Sequence, residues 1–159
     1  MKWKEYETQL YTMVMIEKEG KVLLVQRPSE KGFPGYIAPG GKVDFPESPA
    51  QGAEREVKEE TGLTVEKLKF KGIDEFVIPD QRYRYVVYNY LAVETSGELL
   101  DSPPEGKLMW VDKENAGDLP MQPWFKRRLP YFFKEGVFEI HSKWNGDDQH
   151  DAEVTIREL

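Results

Sequence analysis

The sequence contains no cysteine. That excludes a disulfide framework, a thiolate nucleophile and any Cys-ligated zinc site, and it suits a reducing compartment. Only two histidines are present, His141 and His150, and they lack the spacing of a metal motif; both read as structural or exposed. No apolar run approaches the roughly 18 residues of a membrane span, the best being 13–16 and 22–25. The N-terminus mixes Lys2 and Lys4 with Glu5 and Glu7 and offers no small-residue cleavage site, so a secretory leader is not expected and the cytoplasm is. Basic charge is also short, with 22 Lys and Arg against 29 Asp and Glu and a net charge of −7. This argues against a nucleic-acid polymer as partner, since sequence-independent binding needs a basic surface. No repeat, low-complexity tract or Pro/Ser linker divides the 159 residues, so one domain spanning 1–159 is expected.

What is present is enough for one core, with 39% hydrophobic and 13% aromatic residues. Residues 10–17 and 21–27 are β-rich, and the short link at Lys18, Glu19 and Gly20 makes them a hairpin. Residues 28–41 are dense in Pro and Gly and read as loop, broken by a short strand at 36–38. Residues 48–61 form the clearest helix. Ser48 is the N-cap, Pro49 takes the first helical position, Gln51 completes a capping box and Gly62 ends the helix left-handed. Segments 64–78 and 83–94 read as a long hairpin about Pro79, Asp80 and Gln81, and 108–111 as a further strand. Residues 122–134 look helical, with Pro130 kinking or ending the helix. Residues 137–144 and 152–157 read as a terminal hairpin around Asn145 and Gly146. The fold class is α+β with mostly antiparallel strands.

The helix at 48–61 carries Glu56, Glu59 and Glu60 at i, i+3 and i+4. Like charges at this spacing each cost a few tenths of a kcal/mol. They flank the stripe of Ala50, Ala53 and Val57 that should meet the core. A Glu-rich solvated face screened by Arg55 and Lys58 is one reading. Carboxylates beside loop carbonyls are also the ligand set of a hard divalent cation such as Mg²⁺. The run Gly41, Glu47, Arg55-Glu56-Val57, Glu59-Glu60 and Gly62-Leu63 resembles the Nudix box, G-x5-E-x7-R-E-U-x-E-E-x-G-U with U aliphatic. All nine specified positions are met within 23 residues. Average residue usage puts a chance match on the order of 10⁻⁸.

The resemblance implies an α/β/α sandwich with a mixed, largely antiparallel sheet and the box helix packed beside it. It implies an enzyme that hydrolyses a phosphoanhydride in a nucleoside diphosphate linked to a group X, with Mg²⁺ as cofactor and Mn²⁺ able to substitute. By the family pattern Glu56, Glu59, Glu60 and the Gly40 carbonyl hold metal, and Arg55 orients the carboxylates together with Glu47. Glu56 is the first choice of general base; Glu105 is the second, preferred over Glu98 because it lies just before the 108–111 strand. A Nudix-fold regulator without turnover is the alternative, but such proteins usually have damaged boxes.

The partner implied is a small-molecule nucleotide. Residues 10–27 and the stretch Pro39-Gly40-Gly41-Lys42-Val43 are similar to the MutT-like 8-oxo-dGTP diphosphatases. On that likeness Arg27 contacts phosphates, Thr12 lines the base pocket and Phe76 stacks on a purine, although Thr12 and Phe76 also read as plain strand residues and Arg27 as a solvated strand end. Gln122 offers a donor and an acceptor to a base edge, and Trp124 a closing wall. The chain departs from the branch at Ile37, where some relatives place an asparagine, and in the 119–124 loop, which has no acidic pair. Isopentenyl diphosphate isomerases need a cysteine that is absent. ADP-ribose, dinucleoside polyphosphates and RNA 5′ ends remain alternative substrates. The one local basic cluster, Lys126, Arg127 and Arg128, reads as a solvated helix face. Asp147, Asp148 and Asp151 read as an acidic surface turn.

Overall fold

The computed structural model describes residues 5–144 and 151–159. Among the described residues nine strands form one mixed sheet. In chain order they are β1 (Glu7–Lys18), β2 (Lys21–Arg27), β3 (Gly35–Ile37), β4 (Gly40–Lys42), β5 (Thr64–Ile78), β6 (Tyr83–Ser96), β7 (Lys107–Asp112), β8 (Phe138–Trp144) and β9 (Asp151–Glu158). The main path runs β3-β2-β1-β6-β5-β8-β9, with β4 also on β1 and β7 also on β2. Only β1 with β6 and β5 with β8 are parallel; the other six pairings are antiparallel.

Two helices cover opposite faces. Helix α1 (Pro49–Thr61) buries Ala53 and Val57 against Val14, Ile16, Leu23 and Ala92. Helix α2 (Pro123–Arg128) is one and a half turns long and runs into a 3₁₀ turn at Leu129–Phe132. It brings Phe125, Leu129 and Phe132 onto Met13, Met15, Val22, Leu24 and Leu91. Strand β1 is thus buried on both faces, which is why residues 13–16 read as a continuous apolar run rather than an alternating one.

Local chemistry sets the element ends. Glu19 and Gly20 both have positive φ, 52° and 78°, as a two-residue hairpin turn between right-twisted strands requires. The Ser48–Gln51 capping box forms in both directions, and Gly62 closes α1 with φ 87°. The expected helix over 122–134 is shorter: Pro130 lacks an amide hydrogen and the chain tightens to 3₁₀ from Leu129. The short strand expected at 36–38 lies one residue earlier, and β4 was not foreseen because Gly40 and Gly41 carry no strand signal. The solvated-face reading of Lys126, Arg127 and Arg128 is corrected. Lys126 is exposed and Arg127 half-buried, but Arg128 is wholly buried. Residues 145–150 lie outside the described residues, and with them His150, Asp147 and Asp148. No helix among the described residues is long and apolar enough to cross a membrane.

Candidate active site

Strand β4 is held between β1 and α1 by two glycines that leave no room for side chains. A Cβ on Gly40 would fall inside the Thr12 carbonyl oxygen, and one on Gly41 would lie 2.6 Å from Glu56 Oε1. The close approach lets the carboxylates of α1 lie against the β4 backbone: the Gly40 amide donates to Glu60 Oε2 at 2.7 Å. Thr12, opposite Gly41 on β1, is buried, and its hydroxyl lies 3.5 Å from the Gly41 carbonyl.

Arg55 is the hub of the helix. Its Nε donates to both oxygens of Glu47, at 3.2 and 3.1 Å, and Nη2 donates to Glu47 Oε1 at 2.7 Å. Nη1 reaches Glu56 and Glu59, each at 3.1 Å, and Nη2 also reaches the Lys42 carbonyl at 3.0 Å. These bonds, those to Glu47 first, raise the Arg55 pKa and lower that of Glu47. Two contributors escaped the sequence reading. Asp44 pairs with Arg55 at 3.3 Å, and Gly52 makes room for Glu47, whose Oε1 would sit 2.9 Å from a Cβ there. Both lie inside the box spacing, where the pattern specifies no residue, and only the folded contacts reveal them.

A cavity of about 250 Å³ opens beside this hub, lined by Arg27, Gly40, Gly41, Glu56, Glu60 and Glu105 over an apolar floor of Val25, Ile37 and Ala38. Three carboxylates and one guanidinium share it. Burial pushes the Glu60 carboxyl up to about 8, with Glu56 and Glu105 adding repulsion against the Gly40 amide and Arg27. Burial also raises Glu56, partly offset by Arg55. Arg27 Nη2 donates to the Lys31 carbonyl at 2.6 Å, and Lys31 Nζ donates to the Pro104 carbonyl at 3.2 Å, tying the two loops that carry Arg27 and Glu105.

The structure therefore brings together Arg27, Gly40, Glu56, Glu60 and Glu105 from sequence-distant segments. Glu59 is mostly exposed and lies on the Arg55 side of the helix. Glu98 is exposed and does not line the cavity. Phe76 is buried on β5 against Trp144, with ring centroids 5.0 Å apart, and is not at the cavity. Gln122 and Trp124 are on the α2 face of the sheet, not in the cavity lining. Gln122 Nε2 donates to the Pro34 carbonyl at 3.0 Å, and the Trp124 ring meets Phe33 edge-on at 5.9 Å. His141 Nδ1 lies 2.6 Å from Glu75 Oε1, away from the cavity lining.

A family model for the NUDIX domain matches residues 9–132. The chain belongs to the Nudix hydrolase family. It is similar to an uncharacterized Nudix hydrolase, YvcI, of Bacillus subtilis, at 32% identity over 79% of this chain and 80% of that one. It is also similar to the oxidized purine nucleoside triphosphate hydrolase of Danio rerio, at 30% identity over 82% and 90%. Among solved structures, a MutT protein from Bacillus halodurans superposes with a TM-score of 0.80 at 30% identity, over 93% of this chain and 97% of that one. The mixed sheet with the box helix beside it is the fold of these Nudix proteins.

As a Nudix hydrolase site, the residue set fits a divalent metal. All its donors are hard oxygens, and Glu60 is held in a buried, mutually repelling group whose charge a cation would balance. No three His, Asp or Glu side chains already converge as a ready-made cluster among the described residues. Glu56 and Glu59 are turned to Arg55, and Glu60 accepts from the Gly40 amide.

Proposed function

We propose that this Nudix hydrolase is a Mg²⁺-dependent pyrophosphohydrolase of purine nucleoside triphosphates, releasing a monophosphate and pyrophosphate, with an oxidised purine such as 8-oxo-dGTP among its substrates. One observation carries this reading: a single cavity is lined by Glu56, Glu60 and Glu105 together with Arg27. A polyphosphate needs both a cation-holding wall and a fixed positive group.

In this reading Glu56, Glu59, Glu60 and the Gly40 carbonyl would hold the metal. Bound there, Mg²⁺ would neutralise phosphoryl charge and acidify a water. Arg27 binds the polyphosphate. Arg55, with Glu47 and Asp44 behind it, orients Glu56 and Glu59. Glu56 takes a proton from the attacking water as the phosphoanhydride bond breaks to give monophosphate and pyrophosphate. Glu105, which also lines the cavity, is the second candidate for that proton. The purine reading is supported by the similarity to the oxidized purine nucleoside triphosphate hydrolase of Danio rerio.

The test is a panel of 8-oxo-dGTP, dGTP, the other NTPs, ADP-ribose, diadenosine polyphosphates and capped RNA with Mg²⁺ or Mn²⁺. Monophosphate plus pyrophosphate from purine triphosphates, at the highest kcat/KM in the panel, is the expected result. Near wild-type turnover by Glu59→Gln or Glu60→Gln would overturn the site assignment. Preference for ADP-ribose or capped RNA would overturn the substrate.

A further inference from the structure

Outside the cavity, Arg128 and Asp74 form an ion pair sealed from water, with side chains 1% and 0% exposed. Arg128 Nε and Nη2 lie 2.9 and 2.8 Å from Asp74 Oδ2. Nη1 donates to Asn89 Oδ1 at 3.3 Å and lies 3.1 Å from Met13 Sδ. The guanidinium also lies 5.4 Å from the ring centroid of Trp124. One side chain from α2 thus engages β1, β5 and β6 together.

Such a pair is weakly justified by stability, because taking two charges out of water cancels most of their attraction and an apolar pair of similar volume is often as stable. What a planar guanidinium supplies is geometry: its edge is fixed by Asp74 and Asn89, and Trp124 rests against it. The ring of Trp124 then meets Phe33 edge-on at 5.9 Å. Phe33 belongs to the 28–34 loop, whose Lys31 carbonyl holds Arg27 Nη2 at 2.6 Å. The same loop is tied to α2 a second time by Gln122 Nε2 on the Pro34 carbonyl. Contacts therefore run from Asp74 through Arg128 and Trp124 to Phe33, and Phe33 lies two residues along the chain from Lys31, which holds the arginine in the cavity.

We propose that Arg128, anchored by Asp74 and Asn89, is a positioning residue for substrate binding, setting Trp124 and, through Phe33, the loop that aims Arg27 into the cavity. The proposal rests on the reading that Arg27 binds the polyphosphate.

The experiment compares kcat and KM for the best purine triphosphate of the panel, with Mg²⁺, in Arg27→Ala, Arg128→Lys, the double variant Asp74→Leu/Arg128→Met and that double variant combined with Arg27→Ala. Melting temperature and circular dichroism establish folding. A folded Asp74→Leu/Arg128→Met should raise KM about tenfold with kcat within about twofold of wild type, the mark of lost binding rather than lost chemistry. Arg128→Lys should fall between the two, because an ammonium keeps the charge without the planar fork. Adding Arg27→Ala to the double variant should raise KM no further than Arg27→Ala alone, since both act through one side chain. Wild-type KM in folded Arg128→Lys and in the double variant would overturn the proposal, and so would additive effects with Arg27→Ala. If the double variant does not fold, Arg128→Lys decides alone. Unchanged KM in Arg27→Ala overturns instead the reading of Arg27, which separates the two failures.

Discussion

In the proposed function Glu60 serves binding at the expense of stability. Its carboxyl is buried, faces Glu56 and Glu105, and titrates near 8 rather than at the usual 4.5. A folded-state pKa above the unfolded one means the folded protein binds that proton more tightly. The favourable contribution is complete below about pH 4.5 and is lost as pH rises through 8. In EDTA, the melting temperature should therefore fall between pH 5 and pH 8, and Glu60→Gln should flatten that fall while abolishing Mg²⁺-dependent turnover. A Glu60→Gln protein with the wild-type pH profile of melting would show that the carboxyl is not strained. Gly40 makes a complementary case. A methyl group there meets the Thr12 carbonyl, which is backbone and cannot rotate away. Gly40→Ala should separate β4 from β1 and reduce kcat/KM about 10–100-fold, the scale of a lost supporting contact at the proposed metal site. Isotope-labelled Thr12 and Gly40 amide shifts would report the displacement.

At the scale of elements, α1 is specified twice over. The capping box, Pro49 and Gly62 fix its ends, and the Ala50, Ala53 and Val57 stripe fixes its rotation. Ser48→Ala removes the hydroxyl that accepts from the Gln51 amide at 3.1 Å. That loss should cost about 1 kcal/mol and lower the melting temperature by about 2–4 °C in a domain of this size, with little change in KM. Calorimetry and steady-state kinetics on the same sample check both halves. Arg55 works differently, since its contacts bind Glu47, Glu56 and Glu59 into one unit. Arg55→Ala should lose far more activity than stability, about 10–100-fold in kcat/KM or metal affinity, measured by Mg²⁺ titration of turnover. Alpha-helix α1 was legible because capping, core stripe and carboxylates all sit within 23 consecutive residues. Helix α2 was overextended in the sequence reading because residues 122–134 carry enough apolar side chains to suggest a longer helix, while the Pro130 break takes effect one residue earlier.

At the scale of the molecule, the two faces of the sheet carry different kinds of order. The α1 face is aliphatic beside a carboxylate site. The α2 face has a buried charge at its centre. Arg128→Ala should lose about 3–5 kcal/mol because it leaves Asp74 buried without its cation, whereas replacing both partners with apolar residues should cost much less. Urea melts of the single and double variants measure the difference, and equal losses would mean that the pair is a net stabiliser. The net charge of −7 is spread unevenly along the chain. Between Lys42 and Glu60 there are six acids (Asp44, Glu47, Glu54, Glu56, Glu59, Glu60) and three bases (Lys42, Arg55, Lys58), so −3 of the −7 lies in 19 residues around the cavity. The excess opposes a nucleic-acid groove without opposing a nucleotide that arrives with a cation.

The sequence alone determined what is local. The Nudix box, the hairpin at Glu19 and Gly20, the ends of α1 and the long 64–94 hairpin each depend on residues close in the chain, where periodicity and turn chemistry act directly. Arg27 and Glu105 were named from the sequence, but only tertiary structure put them in one cavity with Glu56 and Glu60, 78 residues of chain apart at the extreme. It also turned Glu59 toward Arg55, kept Phe76, Gln122 and Trp124 out of the cavity lining, and buried Arg128, which in sequence was one of three basic residues in a row. The physical reason is the same in each case. Burial and partnership across the sheet depend on which strands become neighbours, and the β1–β6 and β5–β8 parallel pairings that decide this join segments with no local signal between them.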